Sequence, residues 1–295
     1  VKLDYERNLY LLEEGTDAWT EALNVFEENY GKYADIEKNY LGKEGVNWQN
    51  ETLVRTALQQ NYRIGVQGGN KALGYKLSYS YFDEEGAMVY SGNQKHNISL
   101  NLKSEVKDWL KLTANFSFDQ RKVYGMGTSE NGDRFNKMQH ILQYRPTMGI
   151  KGTNEELIGH VVDPMIDDSG NVMRNPLVSA REETKDRQFR TFNANAGAVI
   201  TLAKGLTFSN TTGMRYQTRR NDIFYGEESV MASRSSINGS IEYREYGTFQ
   251  TSNVLSYNFE KGIHNFTAML GQEYVNMWTR TFKASANNFP NDEIG

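Results

Sequence analysis

Between Lys107 and Lys122 the chain reads KDWLKLTANFSFDQRK. This places Leu110, Leu112, Ala114, Phe116 and Phe118 on one side of an extended segment and Lys111, Thr113, Asn115, Ser117 and Asp119 on the other. Side chains alternate across a strand with a period of two, so the pattern predicts a β-strand with one apolar and one polar face. The alternation recurs along the chain. Tyr62, Ile64 and Val66 lead through GGNKALG to Tyr75, Leu77, Tyr79 and Tyr81, which reads as a hairpin. Ile98, Leu100 and Leu102 precede the strand already quoted. Phe192, Ala194, Ala196, Ala198, Ile200 and Leu202 turn at Lys204-Gly205 into Leu206, Phe208, Thr212, Met214 and Tyr216, with Asn210 interrupting the apolar row. A last pair, about Tyr246 to Phe259 and His264 to Trp278, turns at Lys261-Gly262 and is less regular, with Thr251 and Asn253 at apolar positions. The N-terminal stretch follows a helical period instead: Trp19, Leu23 and Phe26, with Glu between them, predict a short amphipathic helix from about Asp17 to Glu28.

An alternating strand has two possible meanings. In a soluble sheet the apolar row is a packed core; in an outer-membrane barrel it faces lipid and the polar row faces a wet interior. The connections separate the two. In chain order they fall at 70–74, 83–93, 105–109, 122–189, 203–205, 221–243 and 260–263, alternately short and long. With neighbouring strands antiparallel, all short turns lie at one end and all long loops at the other, the asymmetry of outer-membrane barrels. A soluble sandwich has no reason to sort its loops this way, and a connection as long as 122–189 counts against it. The apolar rows of 75–81, 98–102, 110–118 and 192–202 carry no Asp, Glu, Lys or Arg. A lipid face requires this, although a buried sheet face would exclude charge equally well.

Composition sharpens the picture. Of the 295 residues 38% are hydrophobic, and 18 Tyr and 14 Phe make much of that share aromatic, set in a background of Asn, Ser, Thr and 26 Gly. That balance suits a barrel with a polar lumen. No apolar run is long enough for a membrane-spanning helix, whereas barrel strands need only about 9 to 11 alternating residues. The formal net charge of -4, with no basic stripe, argues against a nucleic-acid partner. With no cysteine there are no disulfides, thiolate metal sites or Cys nucleophiles. The N-terminus lacks the basic and apolar regions of a signal peptide, as expected of a cytoplasmic protein or of a piece of a longer precursor.

No catalytic or cofactor constellation emerges. His96, His140, His160 and His264 are isolated, without the spacing of a metal pair. GMGTSENGDR (Gly125 to Arg134) is glycine-rich but lacks the ending of a phosphate-binding loop and reads as a plain loop. Asp163, Asp167 and Asp168 lack the regular oxygen ligands of a calcium loop and read as a solvated turn. The inward rows carry Lys111, Asp119, Arg215, Gln217 and Glu273, suited to lining a wet lumen. The expectation is a protein that is not an enzyme and needs no cofactor.

Several segments in order, NWQNETLVRTALQQNYRIGVQGGN (47–70), YKLSYSYFDEEG (75–86), DWLKLTANFSF (108–118), NPL (175–177), KGLTFSNTTG (204–213), HNFTAMLGQEY (264–274) and the later FPNDEI, carry a resemblance to the SusC/RagA family of TonB-dependent outer-membrane transporters of Bacteroidetes-type bacteria. No single motif is diagnostic; their succession is. The resemblance implies an all-β fold: an antiparallel transmembrane β-barrel segment, about eight strands of a 22-stranded barrel, with long external loops, one of which carries a short helix. It divides the chain into an external loop region with a short helix (1–57) and a partial receptor barrel (58–295), with the plug domain and remaining strands outside it. It implies location in the cell outer membrane, contact with outer-membrane lipid, and import of oligosaccharides or peptides together with a SusD-like surface lipoprotein. Energy would come from a TonB-ExbB-ExbD complex through the missing N-terminal part. Because binding usually sits on long loops over a rigid scaffold, the candidate substrate-contacting residues are Tyr124, Phe135, Tyr144 and Arg145 of the longest loop. The competing expectation is a soluble or surface-exposed β-rich glycan-binding module with tyrosine stacking platforms, distinguished by dissolving without detergent.

Overall fold

The computed structural model describes residues 12, 14–30, 46–54, 56–70, 72–125, 137–144, 165–166 and 172–291. Eight strands form one antiparallel sheet in chain order: β1 (Gln59–Gly69), β2 (Leu73–Glu85), β3 (Gly92–Lys107), β4 (Leu110–Tyr124), β7 (Glu183–Ala203), β8 (Leu206–Tyr225), β9 (Asn238–Lys261) and β10 (His264–Asn287). A separate two-stranded hairpin, β5 (Met165–Ile166) with β6 (Val172–Met173), lies within the longest connection. The helices are α1 (Asp17–Tyr30), α2 (Trp48–Thr52), α3 (Lys137–Gln143), α4 (Pro176–Glu182) and α5 (Ala232–Ser235). Helix α1 matches the expected span and runs two residues past it. The chain thus has the predicted antiparallel sheet, open at β1 and β10.

The turns after β1, β3, β7 and β9 fall at one end of the sheet and the longer connections at the other, as the loop lengths implied. At the turn end the β7–β8 link is only Lys204-Gly205. Gly205 has φ +77°, and a Cβ there would sit 2.1 Å from the Asn258 carbonyl oxygen, so both backbone and space call for glycine.

Registers align the apolar rows of all eight strands on one face. One row runs Val66, Leu77, Leu100, Phe116, Ala194, Met214, Phe249, Asn276 across β1 to β10, and the next runs Ile64, Tyr79, Ile98, Phe118, Phe192, Tyr216, Gly247, Trp278. Nothing among the described residues packs a second layer on this face: Ile64, Leu77, Phe116, Met214 and Phe249 all remain exposed. From Leu110 to Phe118 on β4 the row is free of charge, as is the facing stretch of β7, and on β3 the only charge opposite it is Lys107, beside the turn at Leu110. That span is close to the roughly 9 to 11 residues a tilted strand needs to cross hydrocarbon.

The irregularities in the pattern meet in space. Asn210, Thr212, Thr251, Asn253 and Gln272 share the apolar face of β8, β9 and β10 and bond to one another. The Asn210 amide donates to Asn253 Oδ1 (2.7 Å) and Thr251 Oγ1 (3.2 Å), Asn253 donates to Gln272 Oε1 (2.8 Å), and the Thr212 and Thr251 hydroxyls lie 3.0 Å apart. Polar groups on an apolar face are tolerated when they satisfy each other. No single strand of the sequence discloses that pairing.

The strands outrun the prediction at the loop end. The expected connections 83–93, 122–189 and 221–243 shorten to 86–91, 125–182 and 226–237, because the ladder continues where the alternation has stopped. Alternation records two different solvents on two faces. Beyond the apolar band both faces meet water, so both become polar while the backbone bonds go on.

The hydrophobic core lies not in the sheet but at this loop end. Val46, Trp48, Met88, Ile141, Tyr144, Leu177 and Ala180 form a buried cluster, with Leu53 and Val89 packed against it. Four segments distant in sequence supply it: 46–53 with α2, the β2–β3 connection, α3 and α4.

Candidate solute path and loop cap

The second face of the sheet is polar throughout its middle. Ser78, Ser99, Ser117, Asn193 and Arg215 share one row; Ser80, Asn97, Asp119, Thr191 and Gln217 share the next. Cross-strand hydrogen bonds tie them: Ser78 to Ser99 (2.7 Å), Asn193 Nδ2 to Ser117 Oγ (3.0 Å), and Asn97 Nδ2 to Asp119 Oδ1 (2.7 Å), where Lys95 also approaches at 3.6 Å. Lys111, Asp119, Arg215, Gln217 and Glu273 all lie on this face, as their parity predicted.

The loop end is built as a folded cap over the strands. Asn175 caps α4, its Oδ1 accepting from the Leu177 (3.0 Å) and Val178 (3.4 Å) amides, with Pro176 at the first helical position and Leu177 in the core. The NPL triplet is therefore a helix start. Ser179 Oγ donates to the buried Glu183 (2.9 Å) and accepts from the Val230 amide (3.4 Å), joining α4 to β7 and to the β8–β9 connection. Arg174 and Glu228 add an ion pair at 2.6 Å between the same two connections. Asn175→Ala should cost about 1 kcal/mol of cap stability. The check is hydrogen exchange, faster at 176–182 and unchanged in β8.

The structure separates the sequence-nominated binding residues. Tyr124, the last residue of β4, lies on the same face as Phe116, with its ring laid over Gly92 and Lys122 5.9 Å from the ring centre. It lines an open cleft of about 340 Å³ with Glu84, Ser91, Asn93 and Arg187. Tyr144 is buried in the cap, edge-on to Trp48 with ring centres 5.0 Å apart, so it packs the cap rather than presenting a surface. Phe135 and Arg145 lie outside the described residues, as do His160, Asp163, Asp167, Asp168 and most of the glycine-rich segment after Gly125. Sequence reading missed Trp48 and Met88 as partners of that loop. Beyond the apolar band on the Phe116 face Lys122 pairs with Asp186 (2.8 Å) and Arg220 with Asp222 (2.8 Å), whose hydrogen bond and charge push the Arg220 guanidinium above its ordinary value.

A single-layer antiparallel sheet with one uncharged apolar face, one polar face and a folded cap at one end is a segment of an outer-membrane β-barrel wall. No family model matches the chain. It is 23% identical over 266 residues to TonB-dependent receptor P3 of Formosa agariphila, covering 87% of this chain and 25% of that protein. It is 33% identical over 79 residues to TonB-dependent receptor SusC of Bacteroides thetaiotaomicron, covering 26% of this chain and 8% of that one. In fold it is similar to the RagAB peptide importer in its open-open state, with a TM-score of 0.68 and 20% identity over 99% of this chain and 33% of that one. The chain is thus similar to part of the barrel of TonB-dependent receptors of the SusC/RagA type, which are outer-membrane proteins, and it spans about a quarter of the length of receptor P3.

Proposed function

We propose that this chain is part of the barrel wall and external cap of an importer that moves oligosaccharides or peptides across the outer membrane at the expense of energy from TonB-ExbB-ExbD, with a SusD-like lipoprotein closing over the cap. The observation that carries this reading is the sheet itself: eight strands with an uncharged apolar row on one face and a hydrogen-bonded polar wall on the other. Such a wall separates lipid from a wet path. Its open edges at β1 and β10 need further strands, since hydrocarbon leaves no unpaired ladder group satisfied. Residues 1–57 belong to the external loop region in this reading, supported by the packing of 46–53 into the cap, and 58–295 to the wall. RagAB's description as a peptide importer supports a solute of oligomer size. A soluble glycan-binding module gains no support, because it would leave the apolar face of eight strands in water.

Replacing 126–174 in the full-length transporter by a tight turn, with assembly verified, should weaken solute uptake or lipoprotein association several-fold and leave the barrel in the membrane. Uptake and association both at wild-type level would refute the assignment of this loop.

A further inference from the structure

Just beyond the apolar band, the polar face changes character. One register row there runs Asn61, Phe82, Lys95, Arg121, Phe189, Arg219, Arg244, Thr281 across the eight strands, and the row above it carries Glu84, Arg187, Glu242 and Lys283. Adjacent strands lie about 4.8 Å apart, so Lys95 with Arg121, and Arg219 with Arg244, form two neighbouring cation pairs on either side of Phe189. Carboxylates nearby balance only part of this charge. Asp119 is shared between Lys95 and Asn97, and Glu242 is taken by Arg244 (2.5 Å). Arg121 bonds only the neutral Asn93 (2.8 Å), while Arg219 lies 5.4 Å over the Phe189 ring, and neither makes an ion pair among the described residues. On the opposite face at the same height Lys122 and Arg220 pair with Asp186 and Asp222, and the protein as a whole is net negative. Arg121 and Arg219, on the inner side of the mouth, are therefore two guanidinium groups of this wall without an ion pair among the described residues.

We infer that this row is an anion-recognising collar, and that the imported solute is an oligosaccharide bearing carboxylate or sulfate groups. The inference rests on the importer reading above. Guanidinium groups match carboxylate and sulfate oxygens in two-pronged fashion, and a low-dielectric wall concentrates such anions at its mouth. The rows beneath the collar favour a sugar over a peptide. From β1 to β8 they read Arg63, Ser80, Asn97, Asp119, Thr191, Gln217 and then Gly65, Ser78, Ser99, Ser117, Asn193, Arg215. On β9 and β10 the same rows add Tyr246, Thr279, Thr248 and Met277, so hydroxyl and amide groups predominate, which suits a hydroxyl-rich chain.

The test uses the full-length transporter in detergent, with barrel assembly confirmed by heat-modifiable gel mobility. Titration calorimetry compares an oligogalacturonate, its fully methyl-esterified neutral form, a sulfated galactan oligosaccharide and a glutamate-rich peptide of similar length. At least one acidic sugar should bind ten-fold or more tightly than the neutral ester, and its affinity should fall with added salt. R121Q and R219Q should each weaken that binding on the order of ten-fold, the scale of one charge-assisted hydrogen bond, and R121K and R219K should restore part of it. Binding of neither acidic sugar, equal binding of the neutral ester, or indifference to both Gln variants in an assembled barrel would overturn the collar. Tighter binding of the peptide would overturn the sugar assignment. Failure of the wild-type chain to assemble as a barrel would instead strike the importer reading.

Discussion

Phe116→Arg should abolish most outer-membrane assembly of the full-length protein, while Ser117→Arg leaves it largely intact. The two residues are adjacent on β4 but face different solvents. Phe116 is exposed on the apolar face between Leu100 and Ala194, near the middle of the uncharged band. An arginine there must hold its charge in hydrocarbon, at about 2 to 4 kcal/mol near the midplane. Ser117 faces the polar wall between Ser99 and Asn193 and accepts a hydrogen bond from the Asn193 amide at 3.0 Å. Replacing it loses that bond, about 1 kcal/mol, but leaves the new charge in water. Membrane fractionation with heat-modifiable mobility measures both. Equal losses for the two variants, or aqueous labelling of a cysteine at 116 rather than at 117, would reverse the assignment of the faces.

Trp48→Ala should unfold the cap and spare the wall. Trp48 is 3% exposed, meets Tyr144 edge-on and sits among Met88, Ile141 and Leu177. Truncating a buried Trp to Ala costs about 3 to 5 kcal/mol in transfer and cavity terms, more than so small a core can lose. The strands hold through their own backbone ladders, so their hydrogen exchange should not change. Exchange at 46–53, 137–144 and 176–182 should rise together, because these segments share one core, and proteolysis should gain sites there. Trp48→Phe, which keeps most of the apolar volume, should behave nearly as wild type. Loss of protection in 46–53 alone would mean that the segments do not cooperate.

The sequence alone determined the class of fold. Period-two alternation located all eight strands, the sorting of short and long connections placed the turns at one end, and the charge-free rows of β2, β3, β4 and β7 form one exposed apolar face of the sheet. These properties are legible because they are local: each strand reports its own two solvents residue by residue. The helix beginning at Asp17 was legible for the same reason. The strand extensions at the loop end were not, because water on both faces erases the alternation while the backbone continues to pair. Nor could the sequence show that Asn210, Asn253 and Gln272 complete one another's hydrogen bonds, since the partners lie on different strands. Tyr144 read as a loop aromatic open to ligand. Only the tertiary structure, bringing Trp48 against it from nearly a hundred residues away, decided that it is core. The lysine and arginines of the collar likewise sit scattered over four strands. What makes them neighbours is register, which is set by pairing between strands and not by the order of residues within any one of them.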